Sequence, residues 1–85
     1  MATLRPTMHI TVVGTGYVGL VSAACFADLG HTVIGVDIDE AKVKKLQQGI
    51  PTIYEIGLEE ILKRGLASGR LSFTTDILEA LPNTK

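Results

Sequence analysis

Residues 10–20 read ITVVGTGYVGL, and this stretch decides the fold. Apolar, mostly β-branched residues fill its first part, as in a buried strand, and a helix-like pattern follows its glycines. Gly14, Gly16 and Gly19 fall within six positions at that junction. Glycine weakens a strand or a helix by about 0.5–1 kcal/mol relative to alanine. Three glycines at one strand-to-helix junction therefore indicate that the backbone has a special task there.

Strand and helix patterns alternate along the rest of the chain. Strands that alternate with helices form a parallel sheet with right-handed crossovers. The predicted fold class is therefore α/β: a three-stranded parallel sheet with helices, one βαβαβ half of a Rossmann (doubly wound) fold with an unfinished sheet edge. The predicted elements are strands at residues 8–13, 32–36 and 70–75, helices at residues 17–29, 40–48 and 58–67, a short helix after Asp76, and a loose tail at residues 1–7 before a partial domain at residues 8–85.

Local signals predict where helices begin and end and which side chains are apolar and inward. Gly30 should stop the first helix, and Asp39 should cap the second. The first strand should be buried on both faces. Cys25 lies on an apolar face and should be a buried structural thiol. The predicted apolar sides are Val18, Val21, Cys25 and Leu29 on the first helix, Val43, Leu46 and Ile50 on the second, and Leu71 and Phe73 on the third strand.

Composition excludes several classes of function. Eight basic and nine acidic residues, with no tryptophan, offer nothing for nucleic acid. A single cysteine excludes an internal disulfide framework and a cysteine-only zinc site, and it favours a reducing, cytoplasmic compartment. Residues 10–27 carry no charge, but their polar residues and glycines argue against a membrane span, which needs roughly 20 apolar residues.

The glycines match the pattern G-x-G-x-x-G between a strand and a helix, which is typical of dinucleotide binding. In that context Gly14 permits the tight turn, Gly16 lets a pyrophosphate approach the backbone, and Gly19 lets the helix pack close to the strand. Asp37 stands eighteen residues after Gly19, at the end of the second strand. An acid there can hydrogen-bond a ribose 2′-hydroxyl. The pattern therefore predicts a dinucleotide site.

Asp37 also favours NAD over NADP, because a carboxylate would repel a 2′-phosphate and no arginine follows it. FAD uses a similar fingerprint, and the glycines alone leave it open. Lys42 could reach the ribose or the pyrophosphate, but its spacing with Lys44 and Lys45 is better explained by a solvated helix face. Glu55, a lone acid in a loop, should be solvated. We find no catalytic pair, triad or metal-ligand cluster in the sequence.

Several segments together resemble a known family. They are GTGYVGL at 14–20, the strand ending GVD at 35–37 with a lysine five residues on, IYEIGLEEIL at 53–62 and GRLSFTTD at 69–76. The chain resembles the start of the UDP-glucose/GDP-mannose dehydrogenase family, and within it the UDP-glucose 6-dehydrogenases. These enzymes use NAD to oxidise the C6 alcohol of a nucleotide sugar to a carboxylate in two hydride transfers.

The resemblance implies a set of cofactor-binding residues. Residues 14–19 would form the pyrophosphate loop, Asp37 would hold the adenosine ribose, and Lys42 would sit beside it as a cofactor contact. Cys25 does not match the family's catalytic cysteine motif, so no residue of this chain is expected to be catalytic. The implied cofactor-binding residues are Gly14, Thr15, Gly16, Tyr17, Val18, Gly19, Asp37 and Lys42.

The chain departs from the family in two respects. The family often has proline where this sequence has Thr52 and Ile56, which should change the stiffness of that loop. Its members are also several times longer, and the catalytic cysteine, its lysine and the sugar-nucleotide pocket belong to the part beyond these residues. The resemblance thus implies the NAD-binding portion of a homo-oligomeric, cytoplasmic enzyme of polysaccharide biosynthesis.

Three alternatives stay open from the sequence. The chain could belong to a different Rossmann dehydrogenase, acting on GDP-mannose or another sugar nucleotide. It could be a stand-alone module that binds NAD or a nucleotide without catalysis. It could also be an assembly segment whose open sheet edge pairs with another chain while the glycine loop is idle.

Overall fold

The computed structural model describes residues 7–80, so the predicted tail at residues 1–7 lies outside the described residues except for Thr7. No helix of this range is long and apolar enough to cross a membrane. The elements, in chain order, are β1 (His9–Val13), α1 (Tyr17–Asp28), β2 (Thr32–Val36), α2 (Glu40–Gln47), α3 (Leu58–Ser68), β3 (Leu71–Thr74) and α4 (Ile77–Ala80).

The three strands form one parallel sheet in the order β1-β2-β3. Val36 is in register with Val13 on one side and Thr74 on the other, so all three strands end at the same edge of the sheet. This arrangement confirms the predicted α/β half-fold. It also corrects one expectation: β1 is not buried on both faces, because its two end residues are exposed and the three between them are only half-buried.

The helix boundaries follow the local signals. Gly30 adopts a positive φ of 108° just past the end of α1, and Asp39 caps α2 by accepting a hydrogen bond from the Lys42 N–H at 3.1 Å. Ile50, however, is 46% exposed. It lies beyond the end of α2, after Gly49 has turned the chain with a φ of 81°. The helical spacing that predicted an inward Ile50 therefore does not extend to it.

The buried face of α1 differs from the predicted one. Cys25 is exposed, and Val18 and Leu29 are 73% and 63% exposed, so Val21 alone of the predicted apolar side is partly buried. Small side chains allow α1 to approach the sheet and α3 closely: a β-carbon on Gly65 of α3 would lie 3.5 Å from that of Ala27. The residues that α1 buries instead are Leu20, Ala23, Ala24 and Ala27.

The core lies between α1, the sheet and the two helices of the second crossover. Leu71 and Phe73 of β3 are buried, as their alternation with polar residues predicted. Val43 and Leu46 of α2 are also buried, as expected. This packing places the beginning of α1 at the edge where all three strands end.

Candidate dinucleotide-binding site

The turn between β1 and α1 depends on Gly14. Its φ is 91°, a conformation that side chains strongly disfavour, and its N–H donates to the Val36 carbonyl at 2.7 Å. The chain therefore leaves β1 while still bonded to β2, and it turns at once toward the helix. This is the tight-turn role predicted for the first glycine.

Gly16 faces open space at the start of α1. A β-carbon built on Gly16 would meet no atom within 4 Å, and no side chain caps the helix. The Leu20 N–H, which donates to the Gly16 carbonyl at 2.8 Å, makes the first hydrogen bond of the helix. The N–H groups before it have no intrahelical partner, and the helix dipole is positive there. The backbone thus offers an accessible anion site.

Gly19 is required by close packing within the same turn. A β-carbon on Gly19 would lie 2.0 Å from the Gly14 carbonyl oxygen and 3.4 Å from Val12 Cγ1. No side chain fits in that gap. Each of the three glycines is therefore required for a different physical reason. A dinucleotide-binding turn requires its glycines for the same three reasons.

The Asp37 side chain is hydrogen-bonded to the glycine turn through Thr15. Its Oδ2 accepts hydrogen bonds from the Thr15 N–H at 2.9 Å and the Thr15 hydroxyl at 2.8 Å. Its Oδ1 accepts from the Asp39 N–H at 3.0 Å. The backbone N–H groups of Thr15 and Asp39, and then the Thr15 hydroxyl, hold the pKa of Asp37 well below its ordinary range. Asp37 is therefore ionised throughout the neutral range.

Thr15 is fully buried, so its side chain braces the turn and is not accessible to a ligand. Gly35 of β2 makes room for it: a β-carbon on Gly35 would lie 3.3 Å from Thr15 Cγ2 and 2.7 Å from the Phe73 ring. This role of Gly35 was not predicted from the sequence. The available signal was a glycine inside a strand, which often marks a close approach of other groups.

The Lys42 side chain lies beside Asp37. Its Nζ lies 3.4 Å from Asp37 Oδ2, and its side chain is 29% exposed. Lys44 and Lys45, by contrast, are exposed. Lys42 therefore differs from the solvated helix face to which its spacing assigned it, and a cation stands beside the acid at the end of β2.

Tyr17 and Val18 begin α1 and are 54% and 73% exposed. Glu55 is exposed, as expected for a lone acid in a loop, and its Oε1 also accepts a hydrogen bond from the Tyr17 hydroxyl at 2.6 Å. No sequence signal could have predicted this contact, because the two residues are 38 positions apart and neither lies in a pattern that implies the other. This bond joins the beginning of α1 to a loop that is distant in the sequence.

Four features together define a Rossmann dinucleotide-binding domain. They are a strand, a turn with three glycines that are each required, a helix with free N–H groups, and an ionised acid at the end of the next strand. Residues 8–85 match the family model described as UDP-glucose/GDP-mannose dehydrogenase family, NAD binding domain. The chain belongs to this family, and its cofactor is NAD.

Some relatives are named for UDP-glucose and others for GDP-mannose. The chain is 51% identical over 74 residues to a UDP-glucose 6-dehydrogenase of Rhizobium meliloti, covering 87% of this chain and 17% of the relative. It is 48% identical over 77 residues to a GDP-mannose 6-dehydrogenase of Pseudomonas syringae, covering 91% and 18%. The chain therefore spans less than a fifth of the length of these relatives.

Solved structures agree with the fold. A ternary complex of GDP-mannose dehydrogenase from Pseudomonas aeruginosa superposes with a TM-score of 0.84 at 48% identity, covering 86% of this chain and 17% of that one. A UDP-glucose dehydrogenase from Pyrobaculum islandicum gives a TM-score of 0.81 at 48% identity, covering 92% and 19%.

Proposed function

We propose that the chain is the NAD-binding portion of an enzyme that oxidises UDP-glucose to UDP-glucuronate in two successive hydride transfers to NAD. The observation that carries this proposal is the open backbone at Gly16, next to an ionised Asp37. Relatives named UDP-glucose 6-dehydrogenase support the substrate. GDP-mannose is the second candidate, because relatives of similar identity carry that name.

Different residues of the site would bind different parts of the cofactor. The free N–H groups at Gly16, Tyr17 and Val18 would hold the diphosphate, with the positive end of the helix dipole behind them. Thr15 would support this turn from beneath, through its bonds to Asp37. When bound, NAD supplies the hydride acceptor.

Asp37 would bind the adenosine ribose through Oδ1. This oxygen accepts one hydrogen bond, from the Asp39 N–H, and a carboxylate oxygen can accept two. Its neighbour Oδ2 already accepts from Thr15 and faces Lys42. The negative charge of Asp37 would repel a 2′-phosphate, which supports NAD rather than NADP. Lys42 would stand beside the same ribose.

The chemistry itself is proposed to lie elsewhere in the protein. The chain spans about 17% of the relatives it matches, and we assign none of its residues a catalytic role. The nucleotide-sugar pocket, the catalytic groups and the contacts of a homo-oligomer would belong to the remainder. A cytoplasmic location fits the exposed, unpaired Cys25, which suits a reducing compartment, and a role in polysaccharide biosynthesis is what the family resemblance implies.

The substitution Gly16→Ala tests the cofactor site. The added methyl group meets no protein atom, so stability should stay within about 1 kcal/mol of wild type, the propensity difference between the two residues. NAD affinity, measured by calorimetry, should fall at least about tenfold, because the methyl group blocks the approach of the diphosphate. Unchanged affinity would contradict the proposal.

The substitution Asp37→Ala tests the ribose contact and should cost about 1–3 kcal/mol of NAD binding. Asp28→Ala is the matched control, since Asp28 lies at the far end of α1 in an exposed pair with Arg64. For the substrate, the protein at its natural length should reduce NAD faster with UDP-glucose than with GDP-mannose. The reverse preference would establish the second candidate.

A further inference from the structure

The Tyr17 hydroxyl joins two segments that are far apart in the sequence. Tyr17 is the first residue of α1, and it donates to Glu55 Oε1 at 2.6 Å. Glu55 lies between α2 and α3, in residues 48–57, here named the α2–α3 loop. The hydrogen bond, and then the negative charge of Glu55, raise the pKa of Tyr17 above its ordinary value.

The α2–α3 loop has few other attachments near the site. Within the described chain, the Tyr17–Glu55 bond is the one hydrogen bond that ties the loop to an element other than the adjoining helices. Tyr54 and Ile56, on either side of Glu55, are 90% and 87% exposed. Ile53 alone among these neighbours packs against the core. The position of the loop tip therefore depends on this bond.

An open groove of about 660 Å³ lies between the loop and α3, lined by residues of both. The loop is thus not packed down onto α3, and Gly57, with a φ of 83°, turns the chain sharply into that helix. The contact with Tyr17 ties the loop to the beginning of α1.

We infer that Glu55 is a positioning residue for the dinucleotide site: through the Tyr17 hydroxyl it holds the α2–α3 loop beside the beginning of α1 as a wall of the cofactor cleft. This inference rests on the proposed function. The contact also fixes the Glu55 charge at the far end of the phenol ring. There it cannot compete with a diphosphate for the free N–H groups of α1, which would otherwise attract a carboxylate.

Four single variants of the protein at its natural length, and one double variant, test this role. Tyr17→Phe removes the hydroxyl, Glu55→Ala removes the acceptor, and Glu55→Gln keeps an acceptor oxygen. Tyr54→Phe is the matched control, since Tyr54 makes no hydrogen bond in the described structure. Two quantities are measured for each: NAD affinity by calorimetry, and amide hydrogen exchange of residues 48–57.

Tyr17→Phe and Glu55→Ala should each weaken NAD binding about three- to tenfold and speed exchange in the loop by a similar factor. Their combination should lose no more than either alone, because both remove one interaction. Glu55→Gln should recover most of the affinity, and Tyr54→Phe should match wild type. Rescue by glutamine separates positioning from a general loss of folding.

The inference is overturned if Tyr17→Phe matches Tyr54→Phe in both measurements, or if the loop exchanges faster while NAD affinity stays the same. Either result leaves the proposed function intact, because wild type still binds NAD. A wild-type protein that binds no NAD would overturn the proposed function, and this inference with it.

Discussion

Gly19 and Gly14 are in contact across the turn that begins α1: a β-carbon on Gly19 would lie 2.0 Å from the Gly14 carbonyl oxygen. Because the contact is with backbone, no side chain can move aside to relieve it. The same turn leaves Gly16 open. One pair of glycines therefore determines how closely α1 approaches β1, while the third leaves the helix N-terminus accessible.

Gly19→Ala should destabilise the fold by at least about 3 kcal/mol, because the methyl group would overlap backbone in a packed turn. The measurement is urea-induced unfolding followed by circular dichroism. Gly16→Ala, three residues earlier in the same turn, is the control. If the free energy of unfolding of Gly19→Ala lies within about 1 kcal/mol of that of the control, α1 does not approach β1 as closely as described.

Asp37→Asn should cost about 1–3 kcal/mol of unfolding free energy at neutral pH, because a charged acceptor of three hydrogen bonds is lost. The pKa of Asp37 is lowered on folding, so its contribution is complete above the unfolded value of about 3.9 and declines as the pH falls below it. The difference between wild type and variant should therefore shrink in acid.

Urea titrations at neutral pH and near pH 3 measure this difference. Glu40→Gln is a control of the same charge change on the neighbouring helix, where the acid is exposed. A gap between wild type and Asp37→Asn that stays constant as the pH falls would show that Asp37 does not titrate as the geometry requires.

Gly35→Ala should destabilise the fold by about 1–3 kcal/mol, since its β-carbon would lie 2.7 Å from the Phe73 ring. The obstacle is a side chain, so Phe73→Leu should relieve it. A double-mutant cycle measured by thermal unfolding should give a combined loss smaller than the sum of the single losses. Additive losses would mean that Gly35 and Phe73 do not compete for the same space.

Thr52→Val should stabilise the fold by about 1 kcal/mol, because the Thr52 hydroxyl is buried and has no hydrogen-bond partner in the described structure. Valine keeps the shape and removes the unsatisfied oxygen. Thr75→Val, at an exposed position, is the control and should change stability by less than about 0.5 kcal/mol. Destabilisation by Thr52→Val would show that its hydroxyl has a partner.

Much of the fold was predictable because its signals are local. The turn at residues 14–19 depends on glycines within one turn of chain, and β2 was predicted with the bounds that the structure gives it. The residues between Gly19 and Asp37 are enough for one helix and one strand. This spacing therefore predicted that Asp37 lies at the end of β2. These features need no knowledge of distant contacts.

The burial of α1 was predicted wrongly for a physical reason. This helix carries apolar residues nearly all round, so periodicity offers little contrast between its faces. Size contributed to the outcome, because three of the four residues that α1 buries are alanines, which fit closely against the sheet and α3. Cys25 was consequently left exposed rather than buried.

The amino-acid sequence by itself determined the order of strands and helices, the glycine turn and its acid, because each follows from the conformational limits of a few neighbouring residues. Only the tertiary structure decided that Thr15 is buried on Asp37, that Lys42 joins them, and that Tyr17 reaches Glu55. Those pairings join separate elements, and side chains meet there only once the packing of the whole sheet has set the distances.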